Sequence, residues 1–258
     1  MSKQKTVEIA QPRFLEGSKD EGVLLLHGLS SYPRVMDAFA LPLNERGFWV
    51  SVPRLPGHGT NGEDYRSVSG RDWLRRAADS LLDLSGRCAR VHILGFSLGG
   101  VLALLLAARY HIESLALLAP AVTNTNRLIL AAPILRYFID KLPGRCNFEG
   151  QDPENPDIKY LSEEYWMWRW SAPAAELLRL QRLAKRSAKK VEARTMLMIS
   201  EADTAVPVEV KPLIEKLLKS HLEKTVVLKK SAHTLPTDCE KEKVAEEVLS
   251  WFDYVTRS

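Results

Sequence analysis

The stretch Val91-His92-Ile93-Leu94-Gly95-Phe96-Ser97-Leu98-Gly99-Gly100-Val101-Leu102 decides the fold. An apolar run ends in Gly-Phe-Ser-Leu-Gly and opens directly into a Leu- and Ala-rich helical pattern. That is the strand–turn–helix setting in which G-x-S-x-G forms a nucleophile elbow, with the serine hydroxyl raised above the end of the sheet. So sharp a turn strains the serine backbone and leaves room only for small residues two before and two after it, a demand that Gly95 and Gly99 meet. The same five residues also suit an ordinary glycine-flanked strand–helix turn, so the rest of the chain has to decide between the two.

Outward from the elbow, short apolar runs alternate with helical patterns. Strands are expected at Val23–Leu26, Phe48–Val52, Val91–Leu94, Ser114–Ala119, Met196–Ser200 and Thr225–Leu228. Helices are expected at Ala38–Arg46, closed by Gly47, and at Ser69–Leu84, Leu98–Arg109, Val208–Lys219 and Lys241–Tyr254. Strands alternating with helices predict a mostly parallel sheet covered on both faces, with ligands bound at the carboxyl ends of the strands. Between Pro120 and about Arg194 the rhythm breaks. Prolines stand at 133, 143, 153, 156 and 173, and the aromatic cluster Tyr165-Trp166-Met167-Trp168-Arg169-Trp170 falls in the same stretch. A break this long reads as an inserted, largely helical cap rather than a loop. The expected organisation is a core of residues 1–120 and 194–258 and a cap of residues 121–193.

The chain has 258 residues, enough for one α/β domain with an insertion. Its 36 basic and 32 acidic residues give a net charge of +4, too slight to argue for nucleic acid. The basic run Arg179–Lys190 interleaves Leu and Ala with Lys and Arg and reads as the solvated face of a helix. Cys88, Cys146 and Cys239 are odd in number and widely spaced, which argues against a disulfide framework or a zinc site and fits a reduced, cytoplasmic compartment. The first residues, MSKQKTVEIAQPRF, carry no apolar signal-peptide region, and no apolar run is long enough to span a membrane.

A serine hydroxyl needs an imidazole as base and a carboxylate to orient that imidazole. Both partners should follow the serine in the order acid then histidine, each just past a strand. Asp203 lies three residues beyond Met196–Ser200, and His233 follows Thr225–Leu228. Glu201 is a rival acid nearer the strand; Asp238 follows His233 too closely and is read as a cap for the last helix. The developing oxyanion needs two N–H donors. These are expected from the backbone of Leu98, directly after the serine, and of Leu29, in the turn that Gly28 permits after the first strand. His27 and His58 read as hydrogen-bonding braces of their loops, and His92 and His111 as structural. No metal-ligand cluster, GxGxxG or P-loop is present, so no metal and no cofactor are expected.

Taken together, these residues resemble the α/β-hydrolase superfamily, most of all its small bacterial carboxylesterases and monoacylglycerol lipases. The motifs that carry the likeness are Leu-Leu-Leu-His-Gly-Leu (24–29), Pro-Arg-Leu-Pro-Gly-His-Gly (53–59), Gly-Phe-Ser-Leu-Gly-Gly (95–100), Asp-Thr-Ala-Val-Pro (203–207) and Ser-Ala-His-Thr (231–234). The resemblance covers residues 20 to 256, most weakly in the cap. It implies hydrolysis of a small ester, with Ser97 as nucleophile, His233 as base and Asp203 as its orienting acid, and no cofactor. Too few residues precede Val23 for two full strands, so a trimmed sheet of about six or seven strands is expected. An amidase, an aminopeptidase, an acyltransferase and a non-catalytic binding protein remain alternatives on the same fold. An aminopeptidase would need acidic residues in the cap, for which Glu163, Glu164 and Glu176 are candidates. No stable membrane insertion is expected, but the aromatic cluster and the basic run would suit transient contact of the cap with a lipid surface.

Overall fold

Strands covered on both faces read as unbroken apolar runs, and the central ones here are buried along their whole length. The computed structural model describes residues 6–125, 127–144 and 150–257. Its main sheet contains β1 (Arg13–Leu15), β2 (Glu21–Leu26), β3 (Trp49–Val52), β4 (Arg90–Phe96) and β5 (Ser114–Leu118). A small two-stranded antiparallel sheet holds β6 (Lys141–Pro143) and β7 (Trp168–Trp170), and β8 (Arg194–Ser200) and β9 (Leu222–Leu228) complete the main sheet. The order across it is β1-β3-β2-β4-β5-β8-β9, seven strands, parallel except for β1. The expected mostly parallel sheet of six or seven strands is therefore present.

The helices are α1 (Asp37–Glu45), α2 (Gly62–Ser67), α3 (Gly70–Ser85), α4 (Leu98–Ala107), α5 (Ala132–Leu135), α6 (Pro156–Leu161), α7 (Ser171–Ser187), α8 (Val210–Leu218) and α9 (Lys241–Arg257). α1 and α9 pack together on one face of the sheet, and α3 and α4 on the other. Sequence chemistry sets these ends. Ser69 and Asp72 form a reciprocal capping box at the start of α3. After α1 the chain turns through Gly47 at φ +90°, in the left-handed region open to glycine. α4 is buried almost all round because it lies between β4 and α7, which explains a helix that is apolar on every side.

Two differences from the expected elements have a physical cause. β1 is three residues long and pairs antiparallel at the sheet edge, too short to leave a periodic trace. β9 starts at Leu222 rather than Thr225; it is the opposite edge strand, half-exposed and carrying Glu223 and Lys224, so no apolar run announces its start. Between β5 and β8 the described chain is mostly helical but also contains the two-stranded β6–β7 sheet, with Leu142 paired to Arg169. Cys88 is buried and Cys239 exposed, both as free thiols, and Cys146 lies outside the described residues.

Topology places the site. From β2 the chain moves to β3 on one side, whereas β4 joins β2 on the other, in register from Glu21–Arg90 to Leu26–Gly95. The loops leaving β2 and β4 therefore diverge and open a crevice at the carboxyl end of the sheet.

Candidate active site

Ser97 stands at the crevice with φ +54° and ψ −112°, a strained conformation for a residue with a side chain. It is over-determined by its backbone bonds. Its N–H donates to the Leu118 carbonyl at 2.9 Å, and its carbonyl accepts from the N–H groups of Gly100 and Ala121 at 3.0 and 3.1 Å. The flanking glycines are needed for space. A Cβ on Gly95 would lie 2.4 Å from the Gly99 carbonyl oxygen, and one on Gly99 would lie 2.0 Å from that of Leu26.

The structure brings the three side chains singled out from sequence into one chain of hydrogen bonds. The Ser97 hydroxyl meets His233 Nε2 at 2.9 Å, and His233 Nδ1 meets Asp203 Oδ2 at 2.8 Å. The other carboxylate oxygen of Asp203 accepts from the N–H groups of Ala205 and Val206 at 2.8 and 2.9 Å. The carboxylate is thus an acceptor on both sides, which fixes the imidazole proton on Nδ1 and leaves Nε2 free to accept from the serine. Glu201 faces solvent and pairs with Lys229 at 2.5 Å, away from the imidazole. Asp238 does not cap the last helix as the sequence suggested: its carboxylate accepts from the Cys239 N–H at 2.8 Å, ahead of Lys241 where α9 begins, and with Glu240 it anchors the His233 loop. Asp238 accepts from the Ala232 N–H, and Glu240 accepts from the Lys230 and Ser231 N–H groups, both at 2.8 Å.

The loop after β2 is braced by buried histidines. His27 Nε2 accepts from the Leu55 N–H at 3.2 Å while Nδ1 bonds the Gly28 carbonyl at 3.0 Å. His58 Nε2 accepts from the Ser30 N–H at 3.2 Å, and its Nδ1 bonds the Pro56 carbonyl at 3.1 Å. Each ring must be neutral to accept a backbone N–H. Burial ensures it, holding His27 well below the usual histidine range and pulling His58 down to about 4. Gly28 packs so closely that a Cβ there would lie 3.3 Å from the Ser97 Cβ, which sets the loop beside the serine. Among the described residues, no backbone or side-chain acceptor takes the Leu29 or Leu98 N–H.

Two adjoining cavities share Leu29, Ser30, Trp168, Thr204 and Ala205. The one over Ser97 and His233 has a volume of about 280 Å³ and includes Ser31, Gln151 and Thr234 in its wall. The second, about 480 Å³, is largely apolar, with Ile129, Ala132, Leu135 and Leu142 from the chain between β5 and β8. No aspartate or glutamate lines either cavity among the described residues.

Sequence reasoning missed how that intervening chain is tied down. Glu164 accepts from the Gly62 N–H at 2.6 Å and Glu176 from the Gly70 N–H at 3.0 Å, so both carboxylates cap core helices rather than face a ligand. The tryptophans of the aromatic cluster also turn inward: Trp166, Trp168 and Trp170 donate their indole N–H groups to the carbonyls of Ser30, Glu163 and Glu164. The contacts of Glu164, Glu176 and Trp166 span a hundred residues or more and leave no local pattern that could have announced them. No helix among the described residues is long and apolar enough to cross a membrane.

Residues 23–247 match the model of the alpha/beta hydrolase family. A thermostable monoacylglycerol lipase from Bacillus sp. (strain H-257) is 29% identical over 98% of this chain and 98% of its own. Among solved structures, that reported for the metagenome-derived lipolytic enzymes LipS and LipT superposes with a TM-score of 0.83 at 21% identity, covering 98% of this chain and 100% of the other. The monoacylglycerol lipase of Paleococcus ferrophilus follows with a TM-score of 0.75 at 21% identity, covering 96% of this chain and 99% of that one.

Proposed function

The chain belongs to the alpha/beta hydrolase family, and from that premise we propose that it is a serine carboxylic-ester hydrolase of short- to medium-chain acyl esters, monoacylglycerols included. The observation that carries this reading is the Ser97–His233–Asp203 hydrogen-bond chain opening onto a cavity of mixed polarity that adjoins a larger apolar one. In this proposal Ser97 Oγ attacks the acyl carbonyl carbon as His233 Nε2 takes its proton, and the carbonyl oxygen becomes an oxyanion held by the Leu29 and Leu98 N–H groups. Collapse of that intermediate breaks the ester C–O bond, and His233 returns the proton to the departing alcohol. Water, deprotonated by the same Nε2, then attacks the acyl-enzyme, and Ser97 leaves with the proton as the free acid forms.

The division of the cavities supports the substrate assignment. The apolar cavity suits an acyl chain. Ser31, Gln151 and Thr234 offer hydrogen bonds to a polyol head such as glycerol. Residues 121–193 act in this reading as a cap that supplies most of the apolar wall. An aminopeptidase is disfavoured, because no carboxylate lines either cavity among the described residues and Glu164 and Glu176 are engaged elsewhere. Transient contact with a lipid surface is supported by a site other than the tryptophans: Tyr137 and Phe138, just past α5, are 79% and 81% exposed.

The test is hydrolysis of p-nitrophenyl esters from acetate to palmitate, with 1-monoacylglycerols of the same chain lengths, alongside fluorophosphonate labelling. The expected outcome is labelling at Ser97 and a rate maximum at short to medium chains. A folded protein that neither hydrolyses any ester nor labels at Ser97 overturns the proposal.

A further inference from the structure

We propose that Trp166 is a positioning residue for the oxyanion loop, locking it from the cap side through its indole N–H. The inference rests on the ester-hydrolase reading above. Ser30 follows Leu29, the donor assigned to the oxyanion, and is held at φ +57°, a left-handed conformation that a serine adopts only when its surroundings impose it. Three bonds impose it, one on each polar group of the residue. The N–H donates to His58 Nε2 at 3.2 Å, the hydroxyl meets the Tyr65 hydroxyl at 2.8 Å, and the carbonyl accepts from Trp166 Nε1 at 2.8 Å.

The first two partners come from the core, His58 from the loop after β3 and Tyr65 from α2. The third comes from the far side of the crevice, 136 residues along the chain. Trp166 ends a π-type turn, Ser162–Trp166, in which the Met167 N–H bonds the Ser162 carbonyl at 2.9 Å. Such turns re-aim side chains within a helix and recur at functional sites. The turn is itself fastened to the core. The Tyr165 hydroxyl accepts from the Thr60 N–H at 2.9 Å, and the neighbouring Glu164 accepts from Gly62. Two core anchors therefore immediately precede the one contact to the oxyanion loop. The cap thereby fixes the last free end of a strained residue adjacent to an oxyanion donor, and the hole is complete only with the cap seated.

The indole ring also walls the catalytic cavity, so the test must separate its N–H from its bulk. Trp166→Phe keeps an aromatic wall and removes the donor. Replacement by the near-isosteric β-(3-benzothienyl)alanine, with sulfur in place of the N–H, repeats the test at nearly unchanged volume and covers the case in which the phenylalanine variant fails to fold. Because the oxyanion is absent from the bound substrate and arises only in the tetrahedral intermediates and the transition states flanking them, the loss should fall on kcat, by about tenfold, with KM within about twofold of wild type. A trifluoromethyl ketone, which forms an oxyanion on the serine, should lose affinity by the same factor as kcat/KM, while a non-hydrolysable ether analogue of the substrate should bind as before. Ser30→Gly supplies the decisive background. Glycine adopts this φ without steric cost, so removing the indole N–H should reduce kcat there by less than about threefold. A rise in KM at constant kcat, or an equal loss of kcat with and without the Ser30→Gly substitution, overturns the proposal. Wild-type protein that fails to turn over esters or to label at Ser97 refutes instead the reading on which it rests.

Discussion

β4 carries a serine–histidine–carboxylate cluster at each end. Past its carboxyl end, Ser97 meets His233 and His233 meets Asp203. Near its amino end, His92 bonds the Ser114 hydroxyl at 2.8 Å through Nδ1 and Glu21 at 3.2 Å through Nε2. The side-chain types and the hydrogen-bond lengths nearly match, yet the surroundings are opposite. Ser114 and His92 are completely buried, with Phe48 and Phe252 stacked edge-on against the imidazole. Ser114 opens a regular strand without a strained backbone, and neither of the two cavities at the upper site reaches it. Glu21 is additionally paired with Arg90, so its charge is neutralised rather than aimed at the imidazole alone. Three hydrogen-bonded side chains therefore do not by themselves make a catalytic site. Strained projection into a crevice, beside backbone N–H groups that no protein acceptor takes, separates the two.

The largest effect should come from exchanging the serines one at a time. Ser97→Ala should lower kcat for p-nitrophenyl ester hydrolysis by about 10⁴–10⁶-fold, by analogy with other Ser-His-Asp sites. Ser114→Ala should leave kcat/KM within about twofold. Activity that survives the first change, or vanishes with the second in a folded protein, breaks the contrast. Next is Asp203→Asn, which reverses the imidazole tautomer and should cost about 10⁴-fold in kcat. Since Glu201 is held outward by Lys229, adding Glu201→Gln to Asp203→Asn should change nothing further. An additional tenfold loss in the double variant would show the two acids sharing the task.

The upper cluster was legible in the sequence and the lower one was not, for a physical reason. The elbow declares itself locally, since its glycines and serine must sit at fixed spacing where a strand becomes a helix. Asp203 and His233 could then be sought just past later strands, because a parallel sheet brings all carboxyl ends to one edge. Nothing comparable marks Glu21, His92 and Ser114, which stand among apolar residues of three strands and meet only through strand register. The capping roles of Glu164 and Glu176 were likewise hidden, because each bridges about a hundred residues. His92 read as structural on position alone, and its partners emerge only from the fold.

If the lower cluster serves stability, breaking it should act on folding and spare catalysis. His92→Phe leaves the Ser114 hydroxyl without its ring partner and Glu21 with Arg90 alone. Losing one member of a buried polar network costs about 3 kcal/mol, or about 6–12 °C in Tm for a chain of this size. Calorimetry paired with initial rates at 25 °C tests this. A fall in kcat without a fall in Tm would assign the lower cluster a part in the reaction.

The smallest expected effect sharpens the contrast through pH. Burial alone would raise the Glu21 pKa, but the hydrogen bond and charge of His92, together with Arg90, outweigh it and hold the carboxyl below its ordinary value of 4.5. The sign follows from proton linkage. Above pH 4.5 the carboxyl is ionised both in the folded protein and in the unfolded chain, and its contribution to stability is fully present. As the pH falls below that value the unfolded chain takes up the proton first, and stability declines until the folded carboxyl is protonated as well. Glu21→Gln removes this linkage. Urea unfolding at a series of pH values from 7 down to 3 should therefore find the variant less stable than wild type at neutral pH, with the gap narrowing on acidification. A gap that stays constant, or widens in acid, would mean that the ionised carboxylate contributes nothing to the fold. Ser97→Ala, which touches only the upper cluster, should run parallel to wild type across the whole series, because in the proposed mechanism its hydroxyl serves as a nucleophile and does not hold the sheet together.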